Sequence, residues 1–187
     1  KRVGIDFSNS AYQFLSSIRQ HDGTLLMDSK GRVTSHLVGI WSRFSNLMSR
    51  GIKLVIIFDG KAPELKVNTQ EEREHKKRIA EGKLKKAMEE EDVDGISKYS
   101  KQTVRMSPEI VKESKELLKA MGLPVIQAPN EADAQLAFIA EKKDIDYVAS
   151  SDVDCLLYGA PKLVTNLTLS QRRKLPSGAT VKITPEI

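Results

Sequence analysis

Unbroken apolar runs alternate along this chain with stretches in which apolar residues recur every three or four positions. The continuous runs lie at Lys1–Phe7, Leu54–Phe58, Pro124–Gln127 and Tyr147–Ser150, with a further one at Lys162–Asn166. Val55-Ile56-Ile57-Phe58 has no polar alternation, which suits a strand covered on both faces. Helical spacing appears in Ser8–Gln20 (Tyr12, Leu15, Ile18/Arg19) and in Thr34–Arg50 (Leu37, Ile40/Trp41, Phe44, Leu47/Met48). It recurs in Pro108–Met121 (Ile110/Val111, Ser114, Leu117/Leu118), closed by the helix stop Gly122-Leu123-Pro124, and in Asn130–Glu141 behind Pro129. Strands alternating with helices predict a layered α/β fold with a largely parallel sheet and right-handed crossovers.

One segment breaks that rhythm. From Lys61 to about Arg105 apolar residues are few and charge is dense. Lys66, Arg73, Lys76, Lys77, Arg78, Lys83, Lys85 and Lys86 are opposed by only Glu71, Glu72, Glu74 and Glu81, and an acidic patch, Glu89-Glu90-Glu91-Asp92-Val93-Asp94, follows. The composition favours helix, yet no wide apolar stripe exists to dock it on a core. The expectation is an exposed, partly mobile helical insertion within one domain, 1–187. Its parts are an N-terminal region (1–60), the insertion (61–105) and an internal region (106–187).

Composition narrows the picture. The 187 residues carry 30 Lys+Arg against 25 Asp+Glu, a net charge of +5, with 40% apolar and 29% charged residues, which argues against global disorder. No apolar run approaches the roughly 20 residues of a membrane-spanning helix, and because the sequence opens directly on a strand-like segment no signal peptide is expected. The single cysteine, Cys155, excludes an internal disulfide framework and points to a reducing, intracellular setting: cytoplasmic in a prokaryote or archaeon (the favoured case), nuclear in a eukaryote. Only 5 Phe, 4 Tyr and 1 Trp are present, so a polyanion partner would be held through phosphates more than through bases.

The acids fall at informative places. Asp6 closes the first strand, Asp59 follows the second, and Asp152 and Asp154 follow the Tyr147–Ser150 strand. In a parallel sheet these C-terminal ends converge on one edge, where open α/β folds place their sites. Glu131 and Asp133, on the first turn after the Pro124–Gln127 strand, can face the same crevice. Gathered and ionised, such carboxylates repel one another; divalent cations relieve that repulsion, and an all-oxygen donor set selects Mg²⁺ or Mn²⁺ over zinc. Each acid also has a plainer role. Glu131 and Asp133 can complement a helix dipole, with Asn130 and Asp133 mimicking part of a capping box, and Asp152 and Asp154 can be loop formers. The joint placement at several strand ends favours metal ions. Two of them would hydrolyse a phosphodiester by activating the water and stabilising the leaving oxygen. Lys66 and Arg73, seven residues apart and nearest to Asp59 in the basic run, can then point to one side and add cations at the phosphate.

Val3-Gly4-Ile5-Asp6, Phe58-Asp59-Gly60-Lys61, Pro129-Asn130-Glu131-Ala132-Asp133-Ala134-Gln135 and Ser151-Asp152-Val153-Asp154-Cys155-Leu156-Leu157-Tyr158-Gly159 follow in order. Together with Asp22-Gly23-Thr24, Asp28-Ser29-Lys30-Gly31 and Lys174-Leu175-Pro176 they make the chain resemble the flap endonucleases of the structure-specific 5′-nuclease family, in its archaeal form. The resemblance runs over nearly the whole chain.

It implies a PIN-like three-layer α/β fold with a mostly parallel central sheet, helices on both faces and a charged helical arch. It also implies 5′-flap endonuclease and 5′–3′ exonuclease activity on DNA in replication and repair, with two Mg²⁺ ions for which Mn²⁺ can substitute. By position, Asp6, Asp59, Glu131, Asp133, Asp152 and Asp154 fall on the family's metal-binding carboxylates, and Lys66 and Arg73 on its basic pair at the scissile phosphate. Asp6 and Asp152, with that pair, are the expected catalytic residues. Tyr12 falls on an aromatic that stacks near the cleaved nucleotide, while Arg19, Arg43, Lys76 and Lys77 are candidate DNA contacts. The implied partners are branched DNA with a 5′ flap and a sliding clamp reached through a further C-terminal segment; the protein would be a monomer with no membrane contact. Asp133 stands where the family has Glu, Phe7 where it has a small residue, and Asn130 where it often has Ser. The family also has a duplex-binding region with a seventh metal-ligand Asp beyond the point where this chain stops, so the chain reads as a fragment. Two other readings stay open: a branched-DNA-binding module that does not cut, and a PIN-type ribonuclease.

Overall fold

The apolar runs become five parallel strands, β1 (Arg2–Asp6), β2 (Lys53–Phe58), β3 (Val125–Gln127), β4 (Tyr147–Ala149) and β5 (Leu163–Val164), in the order β3-β2-β1-β4-β5. The computed structural model describes residues 1–61, 67–167, 172–174, 180–182 and 184. Helices α1 (Phe7–Ser17), α2 (Ser35–Ser49), α5 (Pro108–Ala120) and α6 (Ala132–Glu141) occupy the helix-spaced stretches, and the charged segment forms α3 (Val67–Glu89) and α4 (Val93–Gln102). Three elements had no periodic signal: the single-turn α7 (Asp154–Leu157), and an antiparallel pair, β6 (Arg172–Lys174) with β7 (Thr180–Lys182). Among the described residues no helix is long and apolar enough to cross a membrane.

Contacts divide the chain into two compact units, one of Lys1–Ser10, Trp41–Lys61 and Leu118–Ile187, the other of Ala11–Ile40 and Ala62–Leu117. The first holds the sheet. Its register pairs Ile5 with Ile56 and with Ala149, and Phe58 with Gln127, so the C-terminal ends of β1, β2, β3 and β4 lie along one edge. The strand order reverses beside β1, because β2 and β3 lie to one side of it and β4 and β5 to the other. Such a switch point is where open α/β sheets leave a crevice. Helix α6 packs on β1, β2 and β4. Leu136, Ala137 and Ala140 of that helix join Ile57, Ile145, Val148 and Cys155 in one buried cluster. Gly4 makes this approach possible, since a Cβ there would lie 2.5 Å from Ile145 Cδ1 and 2.6 Å from Leu136 Cδ2. Phe7 stacks on Phe58 at 4.2 Å between ring centroids and fixes the start of α1 against the end of β2.

The second unit is built around Leu15, Val104 and Ile110, with Leu25, Val33 and Met106 packed against them. Residues 19–33 form two tight antiparallel turns, bridged at Arg19–Leu25 and at Met27–Val33. Asp22 accepts from Thr24 N–H, and Asp28 accepts from the N–H groups of Lys30 and Arg32. His36 is fully buried with Nε2 3.2 Å from Glu113 Oε2, and burial pushes its pKa down. Helix α4 is capped by Asp92, whose carboxylate accepts from Gly95 N–H at 3.0 Å.

Candidate active site

Asp6 is the last residue of β1 and α1 begins at the next position, so no loop separates the carboxylate from the helix. Its Oδ1 accepts from Asn9 N–H at 3.2 Å, which caps the first turn of α1. Asn9 in turn exchanges hydrogen bonds with the hydroxyl of Ser151 (2.8 and 3.0 Å), joining the ends of β1 and β4. Asp6 is only 7% exposed. Burial foremost raises its pKa to about 7, with repulsion from Asp59 and Asp133 adding to the rise and the Asn9 N–H opposing it.

Asp59 lies just past β2, where the backbone zips onto the segment after β3. Ala128 N–H donates to Phe58 C=O at 2.8 Å, Gly60 N–H to Asn130 C=O at 2.5 Å, and Lys61 N–H to Pro129 C=O at 3.3 Å. Gln127 adds a side-chain bond to the Asp59 carbonyl. The Asp59 carboxylate accepts from Ala132 N–H at 2.8 Å, so it caps α6 from another strand. The expected Asn130/Asp133 capping box does not form: the helix opens one residue later than its sequence signal, with Glu131 at the cap position and no side-chain cap bond of its own. Gly60 is what lets the two backbones close. A Cβ there would sit 2.1 Å from the Ala128 carbonyl oxygen and 2.5 Å from that of Pro129, neither of which can swing aside. Gly60→Ala is therefore expected to cost about 2–3 kcal/mol of stability, read as a lower denaturation midpoint; an unchanged midpoint would contradict this packing.

Glu131 accepts from the Tyr158 hydroxyl at 2.8 Å. Asp133, half-buried, accepts from the Cys155 thiol at 2.8 Å. Burial first, then the charges of Asp152, Asp59 and Asp154, hold the Asp133 carboxyl above the usual range, and the thiol bond works against them. Cys155 is fully buried, and burial followed by the neighbouring Asp133 pushes its pKa well up, so it packs and orients and does not act as a nucleophile. Asp152 is exposed on the β4–α7 loop and Asp154 is exposed at the first position of α7; Asp152 accepts from Asp154 N–H at 3.1 Å, and Ser150 Oγ accepts from Asp152 N–H at 3.1 Å.

All six predicted carboxylates thus belong to the unit that holds the sheet, on or beside its C-terminal edge. The donor set fits a hard divalent cation: it is all oxygen, and Asp6 and Asp133 carry unrelieved mutual repulsion that a cation would remove. Among the described residues, no three His, Cys, Asp or Glu side chains already stand close enough together to hold one cation. The fit therefore rests on chemistry and charge and not on a preformed cage. Sequence reasoning missed Asn9, Ser151 and Tyr158 as orienting groups. Asn9 was legible as an Asp-x-x-Asn capping pattern, and Tyr158 stood inside a motif already singled out.

The basic candidates belong to the other unit, apart from Arg43. Lys66 lies outside the described residues. Arg73 and Lys76 are exposed on α3, and the Lys77 ammonium sits 5.8 Å above the ring of half-exposed Tyr12. Arg19 uses its guanidinium inside the fold, donating to the carbonyls of Ser16 (3.3 Å), Gly23 (2.8 Å) and Ser100 (2.8 Å). Burial lowers the pKa of Arg43, which is half-buried on α2.

The chain is similar to known proteins in sequence and in fold. The XPG N-terminal domain matches residues 1–80 and the XPG I-region matches residues 122–186. Flap endonuclease 1 of Thermococcus onnurineus is 50% identical over 188 aligned residues, covering 100% of this chain and 55% of that protein. The chain thus spans about half the length of the curated relatives it matches. The solved structure of flap endonuclease-1 from Methanococcus jannaschii superposes with a TM-score of 0.67 at 42% identity, covering 91% of this chain and 54% of that one. The catalytic core of Rad2 in complex with DNA substrate gives a TM-score of 0.61 at 29% identity, covering 89% and 43%.

Proposed function

The chain belongs to the XPG and flap endonuclease family of metal-dependent, structure-specific nucleases, and on that premise we propose that it incises branched DNA at the base of a 5′ flap, with 5′–3′ exonuclease activity, in replication and repair. The observation that carries the proposal is the convergence of acids from the ends of β1, β2 and β4 and from the start of α6 on one sheet edge. Asp6, Asp59, Glu131, Asp133, Asp152 and Asp154 would hold two Mg²⁺ ions, with Mn²⁺ able to substitute. Bound there, the cations would supply Lewis-acid activation of the attacking water and neutralise charge at the scissile phosphate.

The chain's own groups do the positioning. Tyr158 holds the Glu131 carboxylate, Cys155 holds that of Asp133, and Asn9 fixes Asp6 while tying it to Ser151. Hydrogen bonds of this kind fix the angle at which a carboxylate presents its oxygens. Arg73 and Lys66 would add positive charge where the phosphoryl oxygens gain charge in the transition state. Lys76, Lys77 and Arg43 would bear on DNA backbone, and Tyr12 on a base; Arg19 is not among them, because its guanidinium donates to Ser16, Gly23 and Ser100 within the fold. The reading extends to a monomeric intracellular protein that works with a sliding clamp.

The test is a cleavage assay on 5′-flap DNA and on the matching RNA flap, with Mg²⁺, with Mn²⁺ and with chelator. Divalent-dependent incision near the base of the DNA flap is the expected result. Flap binding without product under either cation would instead indicate a non-cleaving module, and preferential cutting of the RNA flap a ribonuclease.

A further inference from the structure

Helix α3 has little with which to hold itself in place. Its buried described side chains are Ala80 and Ala87, and it meets α4 where Ala87 faces Gly95, whose absent Cβ would stand 3.0 Å from that of Ala87. Alanine against glycine gives a smooth contact with no large side chain lodged in a groove, so packing alone sets the rotation of the helix weakly. The neighbouring contact with the 19–33 turns is also incomplete: Leu25, Met27 and Val33, with Leu84, Met88 and Ile96, line a cavity of about 370 Å³.

What apolar packing leaves open, one arginine closes. Arg105 donates to Glu81 Oε1 through Nε at 3.2 Å and Nη2 at 3.0 Å, and through Nη1 to Glu74 Oε2. Glu74 and Glu81 are seven residues apart, two turns along one face of α3. A single planar guanidinium thus grips the helix at two successive levels, which resists rotation about the axis as well as sliding along it. Arg73 stands seven residues before Ala80, in the row that continues to Ala87, so the rotation of α3 fixes where Arg73 points.

We infer that Arg105 is a positioning residue: by clasping Glu74 and Glu81 it fixes the rotation of α3 and with it the direction of Arg73. The consequence for cleavage rests on the nuclease reading above; the clasp itself does not. Arg105 is not offered as a phosphate ligand, because each of its three nitrogens already donates to one of two carboxylates.

The experiment measures amide hydrogen exchange along α3 and single-turnover cleavage of 5′-flap DNA in the intact chain. It compares the parent, Arg105→Gln, Arg105→Lys and the double variant Glu74→Gln/Glu81→Gln. Arg105→Gln and the double variant should each speed exchange of α3 amides, and each should slow cleavage by about tenfold at saturating DNA while leaving Kd within about twofold. Arg105→Lys keeps the charge but loses the fork, so it should fall between parent and Gln. In an Arg73→Ala background, Arg105→Gln should slow cleavage no further. Unchanged α3 exchange in both Arg105→Gln and the glutamate pair would overturn the clasp. Equal slowing by Arg105→Gln with and without Arg73 would overturn the positioning role. Should the parent itself not cut, the nuclease reading fails and the exchange measurement decides the clasp alone.

Discussion

Asp6→Asn should make the cation-free protein more stable at pH 8 while abolishing divalent-dependent cleavage. Asp6 is almost fully buried, and burial with its acidic neighbours raises its pKa from 3.8 to about 7. The folded state therefore binds this proton more tightly than the unfolded chain does. The stabilisation that goes with the bound proton is complete below about pH 4 and is lost as the pH rises through about 7. At pH 8 the parent carries a buried, repelled carboxylate, whereas an amide of the same shape carries no charge. The gain should be of the order of 2–4 kcal/mol, a rise of roughly 5–15 °C in Tm. It should shrink to little near pH 4, and millimolar Mg²⁺ should narrow it by stabilising the parent alone. Melting curves from pH 4 to pH 8 check this. A variant less stable than the parent at pH 8 would mean that the Asn9 cap bond outweighs the charge.

Arg73→Ala should slow the chemical step by about 10²- to 10³-fold, or roughly 3–4 kcal/mol of lost transition-state stabilisation, with flap-DNA affinity little changed. The reason is placement. Arg73 is exposed near the start of α3, whereas Lys77, one turn further on, is engaged over the Tyr12 ring and lies 3.8 Å from Glu74. A guanidinium is charged at every working pH and can bridge two phosphate oxygens, so Arg73→Lys should recover only part of the rate. Single-turnover rates at saturating DNA separate this from binding. A loss confined to Kd, with the rate intact, would make Arg73 a backbone contact and remove it from the chemistry.

Much of this could be read from the chain because its strongest signals are local. The runs around Ile5, Ile56 and Val148 are continuous since those strands are covered on both faces, and acids that interrupt such runs can only sit at strand ends. What could not be read depends on partners distant in sequence. Asp59 caps α6 across 73 residues, a bond no local pattern announces and one that replaces the expected Asn130 cap. Arg19 carries the marks of a surface cation, yet it spends its donors on Ser16, Gly23 and Ser100, the last 81 residues away. Helix α3 shows no apolar stripe because its buried described residues are alanines, and a polar hold, the clasp of Arg105 on Glu74 and Glu81, is added from a residue distant in sequence. Helix α7 is a single turn, too short for any period to register, although it delivers Cys155 to Asp133.

The central claim is that the carboxylate edge of the sheet is a divalent-cation site. Calorimetric titration of Mn²⁺ and Mg²⁺ into the parent, Asp6→Asn and Asp152→Asn at pH 7.5 tests it most directly. Cation binding is expected in the parent, with loss or marked weakening in both variants, each still folded by circular dichroism. Equal binding in all three would place the cation elsewhere and contradict the account.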